Sequence, residues 1–181
     1  MKQQRHNTGK PKLSYVFSNV KSMYLLKHYA PSSGGPASAD SIICHMNGFL
    51  SRENSHNALV TAFVETVELL QAEMGGEPVE PQTSIVAYVF NHAEAWDEYC
   101  RVCEVGAAKY AVGNYRLGES FTHYADCALR HLRKFMRGIQ LDEESGCHHL
   151  AHALWNLWQL MDQPDWRDDR LPAVTRTQED V

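Results

Sequence analysis

The sequence predicts an all-α fold: a single helical-bundle domain of about five helices, with a long inserted region and polar termini. Three observations carry this expectation. Apolar residues recur at helical spacing over several long stretches. No stretch alternates polar and apolar residues as a half-buried strand does, and there is no internal repeat. The 181 residues, 44% of them apolar, suffice for one core but not comfortably for two.

The elements follow in order. Residues 1–12 are polar and read as a loop or arm, and 13–29 place Leu13, Val16, Phe17, Val20, Tyr24 and Leu25 roughly at helical spacing. The stretch PSSGGPASAD (31–40) is a linker, because Pro and Gly interrupt regular structure. Residues 41–50 are apolar but too short to type. Residues 55–74 form an amphipathic helix with Leu59, Phe63, Val67, Leu70 and Met74 as its stripe, stopped by Gly75-Gly76. Residues 84–110 read as one long helix, followed by a loop between Gly113 and Gly118. Residues 120–137 form the next helix, with Phe121, Ala125, Ala128, Leu132, Phe135 and Met136 inward and Gly138 at its end. Asp142 is the expected N-cap of a last helix that runs to about Met161, with Glu143 and Glu144 in its favourable first turn. A polar tail occupies 163–181.

Composition excludes several classes. No apolar run is long enough to span a membrane, and MKQQRHNTGKPK leads into no signal-peptide core. A net charge of −5 argues against a general nucleic-acid binder. Five scattered cysteines imply reduced thiols in a cytoplasm, and Cys100-x-x-Cys103 reads as buried thiols rather than a zinc or redox pair. Charge is segmented: 1–29 carry +6, 30–108 carry −9, 109–140 carry +4 and 141–181 carry −6. Basic and acidic segments that meet in the fold would suit an anionic ligand and a metal.

The compositional oddity is ten histidines, three of them within five residues: His148, His149 and His152. On a helix, Ser145, His149, His152 and Asn156 share one face, opposite a Leu/Trp stripe. That row suits metal ligation, proton transfer or hydrogen bonding to a ligand, with a merely solvated polar face as the alternative. The preceding helix offers His123, Asp126, Arg130 and Lys134 at similar spacing, with His131 beside Arg130. Arg130 forks onto a phosphate or pairs locally with Asp126. A short connector makes the two helices antiparallel neighbours, so their polar faces are expected to line one cleft. Lys109 supplies a further phosphate contact, and Tyr110 or Tyr115 a surface for base stacking.

Four blocks then carry a resemblance: GKPKL (9–13), GAAKYAVGNYRLG (106–118), YADCALRHLRKFMRG (124–138) and DEESGCHHLAHALWN (142–156). Together they resemble the phage-associated dATP/dGTP diphosphohydrolase N-terminal domain family. In that family's pattern the first two blocks lie close together, whereas roughly 90 residues separate them here. Much of 30–95 therefore looks inserted into a nucleotide-handling domain of residues 1–162. The resemblance implies hydrolysis of a purine deoxynucleoside triphosphate to monophosphate and pyrophosphate with a divalent metal, Mg²⁺ or Mn²⁺, in the cytoplasm of a phage-infected bacterium. Matching motif positions make Lys12, Lys109, Tyr110, Asn114, Arg130, His131, Asp142, Glu144, Ser145, His149, His152 and Asn156 site candidates, without assigning their roles. By side-chain chemistry Lys12, Lys109, Tyr110, Asn114, Arg130, His131, Ser145 and Asn156 are expected to bind nucleotide, His149, His152 and Glu144 to be catalytic, and Asp126, Asp142 and Glu144 to bind metal. A looser likeness to MazG-like all-α pyrophosphohydrolases rests on Glu65 and Glu68, then Glu94 and Asp97 after a gap of 25 residues, as an alternative metal set. The first glutamate of that family's EExxE signature is missing.

The contrasting expectation is a non-catalytic, metal-free nucleotide-binding protein, a phage sponge that sequesters a host immune signal. Either way the expected partner is a nucleotide, and long amphipathic helices imply a homo-oligomer.

Overall fold

Six α-helices run through the described residues of the computed structural model, which are 37–51, 55–80, 82, 84–117 and 119–162. They are α1 (Ala39–Ser51), α2 (Ser55–Glu73), α3 (Ile85–Phe90), α4 (Ala93–Tyr110), α5 (Phe121–Met136) and α6 (His149–Asp162), with a 3₁₀ turn at Asn114–Leu117 before α5. Among these residues there is no strand, only an isolated bridge between Leu141 and His148. The all-α expectation holds. No described helix is long and apolar enough to cross a membrane.

The segment 41–50, untyped from sequence, is helix α1, which buries Ile42, Met46 and Phe49. Helix α2 matches its expected limits, but Glu65 and Gln71, which are not part of its apolar stripe, are buried as well. The reason is that α2 packs against α1, α4 and α6. The long helix expected over 84–110 is instead two helices. At the break, His92 Nδ1 lies 2.9 Å from the Tyr88 carbonyl and Trp96 Nε1 donates to the Val89 carbonyl at 2.9 Å. These side chains take carbonyls that a continuous helix would give to backbone N–H groups, so the ladder stops there. Ser84 caps α3 and Ser120 caps α5, each accepting from the backbone N–H three residues on. Helix α5 ends in a Schellman turn: Gly138 N donates to Phe135 O and Ile139 N to Lys134 O, with Gly138 at φ 78°. Met136, expected inside, is 47% exposed just before that turn.

The core centres on α6, which packs against α5 most extensively and also against α2 and α4. Trp158 is fully buried on α6, its ring 5.0 Å from Phe63 and 5.8 Å from Trp96. Phe90 stacks on Trp96 at 4.7 Å, which seats α3 on the same cluster. Cys100 and Cys103 carry free thiols pushed up to about 11 and about 12 by burial, as structural cysteines should. The expected arm at 1–12 and tail at 163–181 lie outside the described residues.

Trp158→Ala should therefore lower the unfolding free energy by about 3–5 kcal/mol, the usual cost of emptying a buried aromatic site. Denaturant melts read this as a lower midpoint at unchanged slope.

Candidate functional site

The connector between α5 and α6 is an ordered loop. Asp142 N donates to Cys147 O at 2.8 Å, Gly146 N to Asp142 O at 2.8 Å, and His149 N to Gln140 O at 2.7 Å. Gly146 takes φ 68°, which lets the chain reverse there. Asp142 is thus not an N-cap; α6 begins at His149. The cap belongs to His148, whose Nδ1 accepts from Leu150 N at 3.1 Å. Its backbone N–H donates to Glu98 Oε1 at 2.7 Å, and Glu98, only 2% exposed, also accepts from Arg101. A buried carboxylate on α4 thereby anchors the start of α6. No spacing rule in the sequence marks Glu98 for this task, because its partner is a backbone group fifty residues away.

This loop changes how the histidine row is built. Ser145 is not on the helix, yet its hydroxyl lies 2.7 Å from His152 Nε2 and donates to Asp142 Oδ2 at 3.0 Å. Ser145 N donates to the same oxygen at 3.0 Å. His149 is fully buried rather than on a polar outer face. Its Nδ1 lies 2.9 Å from His131 Nδ1 on α5, and His131 stacks on His152 at 4.6 Å and 9°. Asn156 bonds back to the His152 carbonyl at 2.8 Å. Residues from α5, the loop and α6 therefore converge on one cluster.

Beside this cluster lies a cavity of about 660 Å³. The candidates Lys109, Tyr110, Asn114, Arg130, His131, Glu144, Ser145, His152 and Asn156 all line it, as does Asp142. Lys134, Tyr115 and His123 join them, together with Trp155 and Gln159, which the sequence pattern assigned to no function. Trp155 hides within the apolar pattern of α6, so nothing set it apart from core residues. Glu144 pairs with Lys109 across the lining. That contact holds the Lys109 ammonium above the usual lysine range.

Other candidates fall elsewhere. Asp126 is exposed and does not line the cavity, because it projects from another side of α5. Glu65 bonds Ser41, Glu68 accepts from Tyr88, and Glu94 pairs with Gln71; these bonds tie helices together. With Asp97 they form no group of converging ligands. Lys12 lies outside the described residues.

Electrostatics favour neutral imidazoles. Burial pushes His131 down to about 3, with His152 and His149 adding to the effect. Burial also lowers His149 and His152. Burial raises Asp142, but its bonds from Ser145 outweigh that and leave the carboxyl below its usual range. Among the described residues, His131, Asp142 and His149 form the group whose ligand atoms all lie within 4.8 Å of one another. Neutral imidazoles beside a carboxylate are what a divalent metal requires. Moreover, His149 Nε2 is buried with no hydrogen-bond partner among the described residues. The donor set fits a metal, and His131 and His149 stand in it beside Asp142 where the sequence had placed Asp126 and Glu144.

Fold and site together define a helical protein whose cavity joins cationic side chains to a histidine–carboxylate cluster. The dATP/dGTP diphosphohydrolase, N-terminal family matches residues 76–170, just over half of the chain, and the chain belongs to that family. A curated relative, the dATP/dGTP diphosphohydrolase of Salmonella phage PMBT28, is 32% identical over 82 residues. That match takes in 43% of this chain and 28% of the relative, so the chain spans less than a third of the relative's length. No solved structure matches. The matched region contains the whole cluster and begins at residue 76, inside the segment 30–95 that had looked inserted.

Two outcomes follow from the site. Glu98→Ala leaves the buried His148 N–H without its acceptor and should cost about 1–3 kcal/mol, measured by chemical denaturation. The second concerns pH. The folded His131 stays neutral until about 3, whereas an unfolded histidine takes up a proton near its ordinary value of 6.5. Protons therefore favour the unfolded chain as pH falls below that value, and stability is lost in that direction. The melting temperature of chelator-treated protein should drop between pH 7 and 5, and His131→Gln should make the drop shallower.

Proposed function

We propose that this chain hydrolyses purine deoxynucleoside triphosphates to the monophosphate and pyrophosphate, with a divalent metal. The observation that carries the reading is the cavity itself. Its volume lies within the range of small-molecule sites, and it sets Arg130 and Lys134 against the cluster of Asp142, His131 and His152. The family and the phage relative supply the reaction by name.

In this reading Arg130 and Lys134 grip the triphosphate oxygens, with Arg130 forking onto two of them. Lys109 joins them where it exchanges Glu144 for a phosphate. Tyr110, Tyr115 and Trp155 offer faces for the base, and Asn114 and Asn156 offer donors and acceptors to its edge. Asp142 and the neighbouring imidazoles would hold a divalent metal, which would supply a bound water of lowered pKa and offset charge on the leaving group. His152, kept neutral by burial, accepts the proton of the attacking water. Ser145 fixes the ring of His152 and ties it to Asp142, so that the base sits in one orientation. Attack at the α-phosphorus breaks its bond to the bridging oxygen, and pyrophosphate leaves.

The test incubates the protein with each deoxynucleoside triphosphate and Mg²⁺ or Mn²⁺, then denatures it and separates the nucleotides. Turnover of dATP or dGTP to monophosphate and pyrophosphate is expected. Arg130→Ala should lower kcat/KM by about ten- to a hundredfold, the worth of one charged hydrogen bond of roughly 1.5–3 kcal/mol. Intact nucleotide returned in stoichiometric amount would overturn hydrolysis and mark the protein as a sequestering one.

A further inference from the structure

We propose that His131, Asp142 and His149 form a two-histidine, one-carboxylate site that selects a transition metal such as Mn²⁺, Fe²⁺, Co²⁺ or Zn²⁺ over Mg²⁺. The inference names the metal class of the site described above. It rests on the hydrolysis reading for the use of that metal, not for its presence.

Three observations carry it. The first is the donor set. Mg²⁺ keeps an octahedron of oxygens and several waters, whereas imidazole nitrogen suits the later divalent metals. Two of the three converging groups are imidazoles. Glu144 is turned to Lys109, and Asp126 lies off the cavity, so neither adds oxygen to the cluster.

The second is spacing. Two nitrogens each about 2.1 Å from one metal, at an angle of roughly 90–110°, stand about 3.0–3.4 Å apart. The two Nδ1 atoms of His131 and His149 are already 2.9 Å apart. Without a metal, one of these nitrogens must hold a proton for the other to accept. That close pairing of the buried His149 with the half-buried His131 has no structural need, since an apolar side chain at either place would pack without desolvating nitrogen.

The third is the support around the ligands. Ser145 donates through its N–H and its hydroxyl to Asp142 Oδ2 alone. His152 stacks flat on His131 and is held by the Ser145 hydroxyl. A carboxylate held by outer hydrogen bonds, as Asp142 is, is characteristic of built metal sites. Three protein ligands leave open positions for water and a phosphate oxygen, as catalytic rather than structural sites do.

The experiment uses the full chain freed of metal with EDTA, without nucleotide. Co²⁺ is titrated in and the visible d–d absorption is followed. Stoichiometric binding is expected, with nitrogen-ligated bands that Zn²⁺ displaces and a large excess of Mg²⁺ does not. His131→Ala and His149→Ala should lose the bands. His123→Ala removes a cavity imidazole outside the group and should keep them. Asp142→Asn changes little in volume, so it guards against loss of fold, checked by circular dichroism. It should weaken Co²⁺ by about tenfold or more. Displacement by Mg²⁺ at comparable concentration would overturn the selectivity. Bands that persist in the three ligand variants would overturn the ligand set. Because binding is read without nucleotide, Co²⁺ held firmly by a chain that hydrolyses nothing sinks only the hydrolysis. Hydrolysis by a chain that binds no Co²⁺ sinks only this site.

Discussion

Burying an imidazole costs free energy unless its nitrogens are satisfied, and α6 buries His149 completely. The rest of the molecule is arranged around that cost. Helix α6 lies against α2, α4 and α5, so its polar side chains have little water to turn to. His149 finds His131 on α5 through Nδ1 alone, its Nε2 having no partner among the described residues, and His152 finds Ser145 on the loop. The packing that makes the core also brings the polar cluster together.

The loop between α5 and α6 is the second consequence. A helix starting at Asp142 would carry Ser145 on its own face and leave Asp142 at the tip. Instead the chain stays out of helix until His149, held by Glu98 from α4 and by its own turn bonds. That delay lets Ser145 and Asp142 fold back over the imidazoles. The cluster then draws on two helices and a loop, and each part restrains the others. The cavity sits where the C-terminal end of α4, the 3₁₀ turn and α5 meet this loop.

The carboxylates divide by the same logic. Glu65, Glu68 and Glu94 meet side chains on neighbouring elements and join helices. Asp142 is instead bound through one oxygen to Ser145, on the cavity lining and beside two imidazoles. A spacing of i, i+3 does not separate these cases, because it records which side chains share a face and not what that face meets.

By itself the sequence determined the all-α class, the limits of α2 and α5, the family, and many of the polar residues that line the cavity. These are legible because helical periodicity, Gly and Ser at helix ends, and short motif blocks are local properties. It misplaced what depends on distant partners. The break at His92 comes from side chains that capture carbonyls at the end of α3. The late start of α6 comes from Glu98. The burial of His149 comes from three helices closing on one. Only the tertiary structure could decide that His131 rather than Asp126 belongs beside Asp142, since both stand on α5 and differ in which neighbour they face.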